Sequence, residues 1–491
     1  MLAAVDDEAV RILEVLKGLI RTESPSGAEG TAGDANSMVG KVHAAASLHG
    51  TTVTSQVVGP NSENVIEVLG GVGSTAFVIE AHTDAVPPGE RQRWVDGDPY
   101  SGADGWVEYL GGDRIAVEVG SSRFEAKIRP RMSKIWEKHR TERRRRILYG
   151  RGSFDNKGCV ASALLAMSAL ARACGQLDVK LGGTVVAAYT VDEEDSATGI
   201  KSFACTTDSW LGTHGFLSGP RDGEGMLTDV SGVALDGSYG WVPVVGHRGA
   251  VQLAITTRGR AAHAATPELG VNAVTAMARI IVALTDGAKD VAERVGKALN
   301  PSLLGPMTMA VGTTIAGGGV REVRMDGAPS VERAGVNAIP DWCEATIDIR
   351  FPQGMRYPSD IRETTDAVVA AVREYIESRV DRGGWTYEIR ELNSVPPVAM
   401  APSFEEAGAI PLVQQERRRA AQVLGFEPDL ETAPGGTDAT FMIHEARIPS
   451  IVELGPAGGL SHDVHEFVEV DSVIEGGKIL ALLAIDRLGL V

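Results

Sequence analysis

The stretch Ala76–Pro87, AFVIEAHTDAVP, decides the fold. Ala76–Glu80 reads as an apolar strand, and His82 and Asp84 stand where that strand runs out, ahead of a rigid Val-Pro exit. Further apolar strands are expected at Asn64–Leu69 and Thr184–Tyr189, and a helix rich in Ala and Leu from about Gly158 to Ala173. Before them, the N-terminal segment forms an amphipathic helix with Ala9, Leu13, Leu16 and Ile20 on one face, and a second helix spans Val42–Leu48. Helices alternating with apolar strands predict an α/β domain, a mixed sheet with helices on both faces. Open sheets of this class gather site residues where their strands end.

From about Gly249 the pattern changes. Strands at Val251–Thr257, Thr308–Thr314, Ala345–Phe351 and Trp385–Leu392 are interleaved with helices at Val271–Leu284 and Ser359–Ser378. That βαββαβ succession predicts an inserted two-layer, ferredoxin-like α+β domain. From about Ser403 the first pattern resumes: a helix through Gln422, a strand Ser450–Leu454 and a closing helix Asp471–Leu488. The expected division is 1–247 and 398–491 for the larger domain and 248–397 for the insertion. Two other segments read as insertions, Asp104–Arg146 and the glycine-rich stretch around Gly219–Gly232.

At 491 residues, 43% hydrophobic and 23% charged, the chain is globular and too long for one core. A net charge of −18 argues against nucleic acid, whose binding rests on neutralised phosphates. The local exception, Arg143–Arg146 preceded by Lys134, Lys138 and Arg140, reads as the solvated face of an inserted helix or loop. Four cysteines without a CxxC pair read as reduced packing residues of a cytosolic protein. No leader-like start is expected, nor an apolar run of the ~18 residues a membrane span requires.

The chemistry is carried by scattered acids and histidines. A metal-bound histidine donates its second N–H to an acceptor, and Asp84 could supply one to His82; a capped strand end is the plainer reading of this pair. Asp155, in YGRGSFDNKG, stands before the helix from Gly158, as an N-cap or as a carboxylate bridging two cations. Asp192, Glu193, Glu194 and Asp195 crowd four acids after a strand, either as an exposed turn or as a cluster whose repulsion cations offset. There one glutamate could bind metal while its neighbour takes a proton from water. Asp236 follows the apolar run Gly232–Leu235, and His462 and His465 lie in a loop after GPAGG. Their order, HxxHE, excludes the helical zinc-protease motifs. Two imidazoles with several carboxylates suit a pair of divalent cations.

These motifs together resemble the two-metal peptidases and deacylases that include acetylornithine deacetylase, succinyl-diaminopimelate desuccinylase, glutamate carboxypeptidase and the aminoacylases. The resemblance covers nearly the whole chain: SPSG at Ser24–Gly27, HTDAVP, the GRGxxDxKG frame, the Glu193–Glu194 pair, GRAAHAATPELGVNA around His263, GVNAIPDWCEATIDIR, GGTDA at Gly435–Ala439, and the HxxxE of His462–Glu466. It implies two divalent ions per chain, zinc first with cobalt or manganese as alternatives. Asp155 would bridge them, with His82, Glu194, Asp236 and His462 as further ligands. Glu193 would be the general base, Asp84 the residue orienting His82, and His263 the group polarising the scissile carbonyl, often across a dimer interface. Asn337, Arg350, Gly435, Gly436 and Thr437 would hold the substrate, an arginine being suited to a carboxylate. The larger domain would then be a phosphorylase/hydrolase-like catalytic domain, and the inserted one would serve dimerisation or as a lid.

The sequence also departs from the family pattern. The interval from Glu194 to Asp236 is long, leaving Asp222, Glu224 and Asp229 as rivals to Asp236. Ala81 stands where glycine is usual, and His465 where a small polar residue is common. The expected protein is a cytosolic, homodimeric metallohydrolase of a C–N bond in a small carboxylate-bearing molecule such as an N-acyl amino acid or dipeptide, with neither nucleic acid nor membrane as partner. The alternatives are a relative redirected to deamination or ureido cleavage, and a catalytically silent binding protein.

Overall fold

The computed structural model describes every residue except 140–141, 297–298, 319, 326–327, 334–336, 355–360 and 382. Arg140, Gly335, Val336 and the first two residues of the helix expected from Ser359 therefore lie outside the described residues. Two compact units are present: Met1–Val245 with Phe404–Glu431 and Thr437–Val491, and Gly246–Ser403 with Thr432–Gly436.

The first unit is built on a mixed sheet in the order Thr52–Gly59, Ser62–Leu69, Thr184–Thr190, Ala76–His82, Val230–Leu235, Ser450–Leu454, with Val244 pairing beyond at Glu453. Its four central strands are parallel, so they end on the same side. All seven residues of Ala76–His82 are buried, which demands cover on both faces. One face carries the helices Leu2–Ile20, Gly158–Leu177 and Val470–Leu488, packed on one another. The other is covered by Ile200, Phe203, Leu211, Met442 and Ile448, which meet Ile66, Val78 and Val186 of the strands. The α/β architecture is as expected, and the strand Thr52–Gly59 is an addition to it. The helical stretch Ser153–Leu177 is long and apolar enough to cross a membrane, contrary to expectation, yet 78% of its most apolar window is buried within the protein. Pro411 starts a new helix, Pro411–Leu424, so the segment expected as one helix is two, the first being Phe404–Ala409.

The Asp104–Arg146 segment is largely strand. Ala103–Gly111, Arg114–Val119 and Ser122–Lys127 form an antiparallel meander, and after the helix Pro130–His139 the strand Arg144–Tyr149 joins it to Phe467–Glu469, just beyond His462. Arg144–Arg146 therefore lie on a strand rather than on a helix or loop, with Arg143, Arg144 and Arg146 exposed as expected of a solvated face. Strand alternation turns Arg145 inward, 3.2 Å from Glu469, while Arg144 lies over the Trp106 ring.

In the second unit, Thr308–Gly317, Trp342–Phe351, Gly249–Arg258 and Thr386–Val395 form an antiparallel sheet in that order. Trp342–Phe351 alternates half-buried and buried residues. The inward set packs with Ala276, Met277 and Ile280 of the helix Ala273–Asp286 and with Val368 and Val372 of Ile361–Arg379. This is the expected two-layer arrangement, with a hairpin, Val320–Met325 and Ala328–Arg333, added between strands. All four cysteines are free.

Candidate two-cation centre

Parallel strands bring the scattered residues together. His82 ends its strand opposite Thr190, with Glu193 and Glu194 in the turn beyond, while Asp236 follows directly on Val230–Leu235. His82 Nε2 lies 3.3 Å from Asp155 Oδ1 and 3.9 Å from Asp236 Oδ1. His462 Nε2 lies 3.3 Å from Asp155 Oδ2 and 3.2 Å from Glu194 Oε2. The two oxygens of Asp155 thus face two different histidines, in two groups of three donors that share this one carboxylate. Of the acids weighed against Asp236, Asp222 instead accepts the N–H groups of Glu224 and Met226, each at 2.9 Å.

Asp84 is the organiser on the His82 side. Its Oδ2 accepts from Ser26 Oγ at 2.7 Å and from the Glu194 N–H at 3.0 Å, and its Oδ1 accepts the Glu193 N–H at 3.1 Å. The same Oδ1 is 3.3 Å from His82 Nδ1. Ser26 belongs to the SPSG segment, so that motif fastens the N-terminal turn to the acid pair.

Glu466 organises the other side. Its Oε1 accepts the N–H groups of Phe154 and Asp155 at 3.0 and 2.9 Å, and its Oε2 accepts the Gly152 N–H at 2.9 Å together with the buried Arg151 guanidinium. A fully buried carboxylate thus sets the backbone that aims Asp155. Sequence reasoning placed Glu466 in a motif but gave it no role; the GRG arginine, its natural counter-charge, was the available signal. Behind His82 sits a second unforeseen pair, Glu80 and Asp438, both accepting from Thr190 Oγ1, at 2.6 and 3.4 Å. Burial pushes Asp438 up to about 7.

The electrostatics show a site short of positive charge. Burial raises Glu193 well above its ordinary value, with Asp438, Asp236 and Glu194 adding like-charge repulsion against the pull of His82. Burial and Asp155 also raise Glu194 and Asp236. Burial works against charge on His82, yet Asp155, Asp236 and Asp84 push it well up; Asp155 and Glu194 push His462 up to about 10. Both ring nitrogens of His82 and Glu194 Oε1 are buried without a hydrogen bond. Buried polar atoms are ordinarily paired, and like charges at this spacing require counter-charge, so the donor set fits two divalent cations of the borderline kind that take nitrogen and oxygen ligands.

The remaining predicted residues fall elsewhere. Thr437, in the first unit, donates its hydroxyl to the Val452 carbonyl at 2.7 Å. His263, Asn337, Arg350, Gly435 and Gly436 belong to the second unit. His263 pairs in the backbone with Ala338, next to Asn337, and its Nδ1 accepts the Ala265 N–H at 3.0 Å. A neutral imidazole so engaged carries its proton on Nε2, as a donor. Arg350 already grips Asp348, its Nε and Nη2 reaching the two carboxylate oxygens at 2.6 and 3.0 Å. A Cβ at Gly436 would come within 3.1 Å of the Val395 side chain, which would have to shift by a few tenths of an ångström to admit it.

An α/β unit with convergent strand ends and two ligand groups sharing a carboxylate defines a hydrolase of the two-cation class. The family model of peptidase family M20/M25/M40 matches residues 130–486, and the chain belongs to that family. It is accordingly a hydrolase acting on amide bonds. The chain is 28% identical over 403 residues to a succinyl-diaminopimelate desuccinylase of Cereibacter sphaeroides, covering 81% of this chain and 79% of that one. Its fold is similar to human carnosine dipeptidase 1, with TM-score 0.61 at 15% identity over 99% and 98% of the two chains. It is also similar to a dinuclear metal-binding M20 peptidase of Bacillus subtilis, with TM-score 0.56 at 14% identity over 98% and 99%.

Proposed function

We propose that the protein hydrolyses the amide bond of a small carboxylate-bearing substrate, an N-acyl amino acid or dipeptide, using two divalent cations shared through Asp155. The observation that carries this reading is the pair of ligand groups meeting at that carboxylate, with Glu193 alongside. His82 and Asp236 would hold one ion, Glu194 and His462 the other, with zinc the first choice and cobalt or manganese also suited. Bound there, such ions supply Lewis acidity, lowering the pKa of water and offsetting negative charge on a carbonyl oxygen.

The residues do the rest. Glu193, raised by its surroundings, takes the proton of the attacking water and returns it to the leaving amine. Asp84 fixes the ring of His82 and the backbone of both glutamates. His263 donates from Nε2 to the oxygen that becomes negative, supplied by the second copy of a homodimer whose contacts the inserted unit makes. Arg350, Asn337 and the Gly435–Thr437 turn bind the substrate carboxylate, with the Arg350 Nη1 group available beyond its Asp348 contact.

The test is a panel of N-acyl amino acids and dipeptides offered to metal-loaded protein, beside Glu193→Gln. Cleavage of at least one member is expected, with turnover falling about 10²–10⁴-fold in Glu193→Gln at unchanged metal content. A protein that holds two ions yet leaves the whole panel intact belongs to another C–N chemistry. Near-normal turnover in the variant removes Glu193 from its role.

A further inference from the structure

Next to the centre is a second, unassigned feature. A cavity of about 200 Å³ lies between the meander and the loop of His462, with Phe154 and Tyr239 among its walls. Phe154 adjoins Asp155, and the lining residues Ser461 and Asp463 flank His462, so the cavity is continuous with the ligand-bearing segments. Ile128 and Met132, both buried, give it an apolar side. Arg129 stands exposed between them, within the Asp104–Arg146 segment that reads as an insertion, where the strand Ser122–Lys127 gives way to the helix Pro130–His139.

The guanidinium is held in place without being neutralised. Its Nη2 donates to Ser461 Oγ at 3.1 Å, and the Tyr239 hydroxyl is a second neutral partner. Among the described residues no carboxylate forms an ion pair with it. The other charged residues of the lining are Lys127, which pairs with Asp113 at 3.1 Å, and Asp463, whose Oδ1 accepts the Val464 N–H at 2.8 Å. Glu453, Asp155 and Asp236 all act on Arg129 through space. Burial pushes Glu453 up to about 8, toward its neutral form, and cations at Asp155 and Asp236 would offset their charge, so the arginine faces the cavity with little compensation.

We propose that this cavity is a substrate subsite in which Arg129 binds a carboxylate carried by the substrate in addition to the one assigned to Arg350. The substrate class is then an amide with two anionic ends, an acidic acyl group or an acidic residue on a short aliphatic stem that fits between Ile128, Met132 and Phe154. A planar guanidinium pairs a carboxylate through two parallel N–H groups, and the apolar wall suits the methylenes behind it. This rests on the amide-hydrolase reading but uses residues outside the ligand set.

Two matched substrate pairs test it, one on each side of the scissile bond: N-succinyl against N-butyryl amino acids, and N-acetylglutamate against N-acetylnorvaline. Wild-type protein should favour the charged member of one pair in kcat/KM. Arg129→Gln should lower that charged-to-neutral ratio by about tenfold or more, the scale of one charge-assisted hydrogen bond, and Arg129→Glu should invert it. Calorimetric titration of the metal-loaded protein with glutarate and with butyrate gives a readout without turnover: glutarate should bind the more tightly, and Arg129→Gln should remove that advantage. Metal content measured on each variant reports an intact centre. Equal kcat/KM within both pairs, or a ratio and a glutarate affinity indifferent to Arg129, overturns the subsite. If no amide is cleaved but glutarate binding still depends on Arg129, the subsite stands and the reaction assigned above fails.

Discussion

At the scale of single residues, buried carboxylates divide into those with partners and those without. Glu466 accepts from four donors, and Arg151 depends on it for counter-charge. Glu466→Gln leaves that buried guanidinium without a counter-charge, its Nη2 bond to the Asp463 carbonyl being neutral, an effect of about 3–5 kcal/mol. A fall in the midpoint of chemical unfolding of that size, together with weaker metal binding because the Asp155 backbone is no longer held, is the expected result. Glu416 is the opposite case: it is fully buried and neither of its oxygens has a hydrogen bond. Burial pushes its carboxyl well above the ordinary glutamate value. The folded state therefore keeps a proton that the unfolded chain releases near 4.5, and stability is lost as pH rises from there through the folded value. Glu416→Gln should raise Tm at pH 8 and leave it little changed at pH 4; equal shifts at both pH values would contradict this account. Neither Glu466's role nor Glu416's isolation is legible in the sequence, because a carboxylate's partners come from distant segments and its motif shows only its neighbours. His82, Asp84, Asp155, Glu193, Glu194, Asp236 and His462 could be read because each follows an apolar strand or a glycine-rich turn, and parallel strand ends converge.

At the scale of elements, close packing overrides local preference. Gly476 lies within the helix Val470–Leu488, where replacing glycine by alanine gains about 1 kcal/mol by helix propensity alone. Here a Cβ would overlap the Trp241 ring, itself fully buried and fastened by its Nε1–H to the Ser472 carbonyl at 2.7 Å. Overpacking of this kind costs about 1–3 kcal/mol, so Gly476→Ala should destabilise, as thermal unfolding would show. The central strands and the long helices were legible because their apolar runs are continuous and bounded by glycine and proline. The Ala103–Tyr149 segment was not. Its strands alternate with charged residues, including the arginines of Arg144–Arg146, and their pairing partner Phe467–Glu469 lies some three hundred residues further along the chain. That pairing ties the segment to the loop of His462, where Phe124 stacks on His465 at 4.0 Å. His462 and His465 both adopt left-handed backbone, φ 62° and 70°, a conformation that such a tie helps to maintain.

At the scale of the whole molecule, three carboxylates and two imidazoles from distant segments meet in one cluster, buried at His82 and open to solvent at His462. The carboxylates draw both imidazoles toward their charged form. Ions that bind the folded chain alone stabilise it by mass action, about 2.7 kcal/mol at a hundredfold excess over Kd, so chelation should lower Tm and added Zn²⁺ restore it. The same sharing of Asp155 sets the stoichiometry. Calorimetric titration of metal-free protein with Zn²⁺ is the direct measurement: two ions per chain for the wild type, one for His462→Ala, which keeps the group of His82, Asp155 and Asp236, and no high-affinity pair for Asp155→Asn. A wild-type chain that takes up one ion, or an Asp155→Asn variant that still takes up two with unchanged affinity, would contradict a centre built on that shared carboxylate.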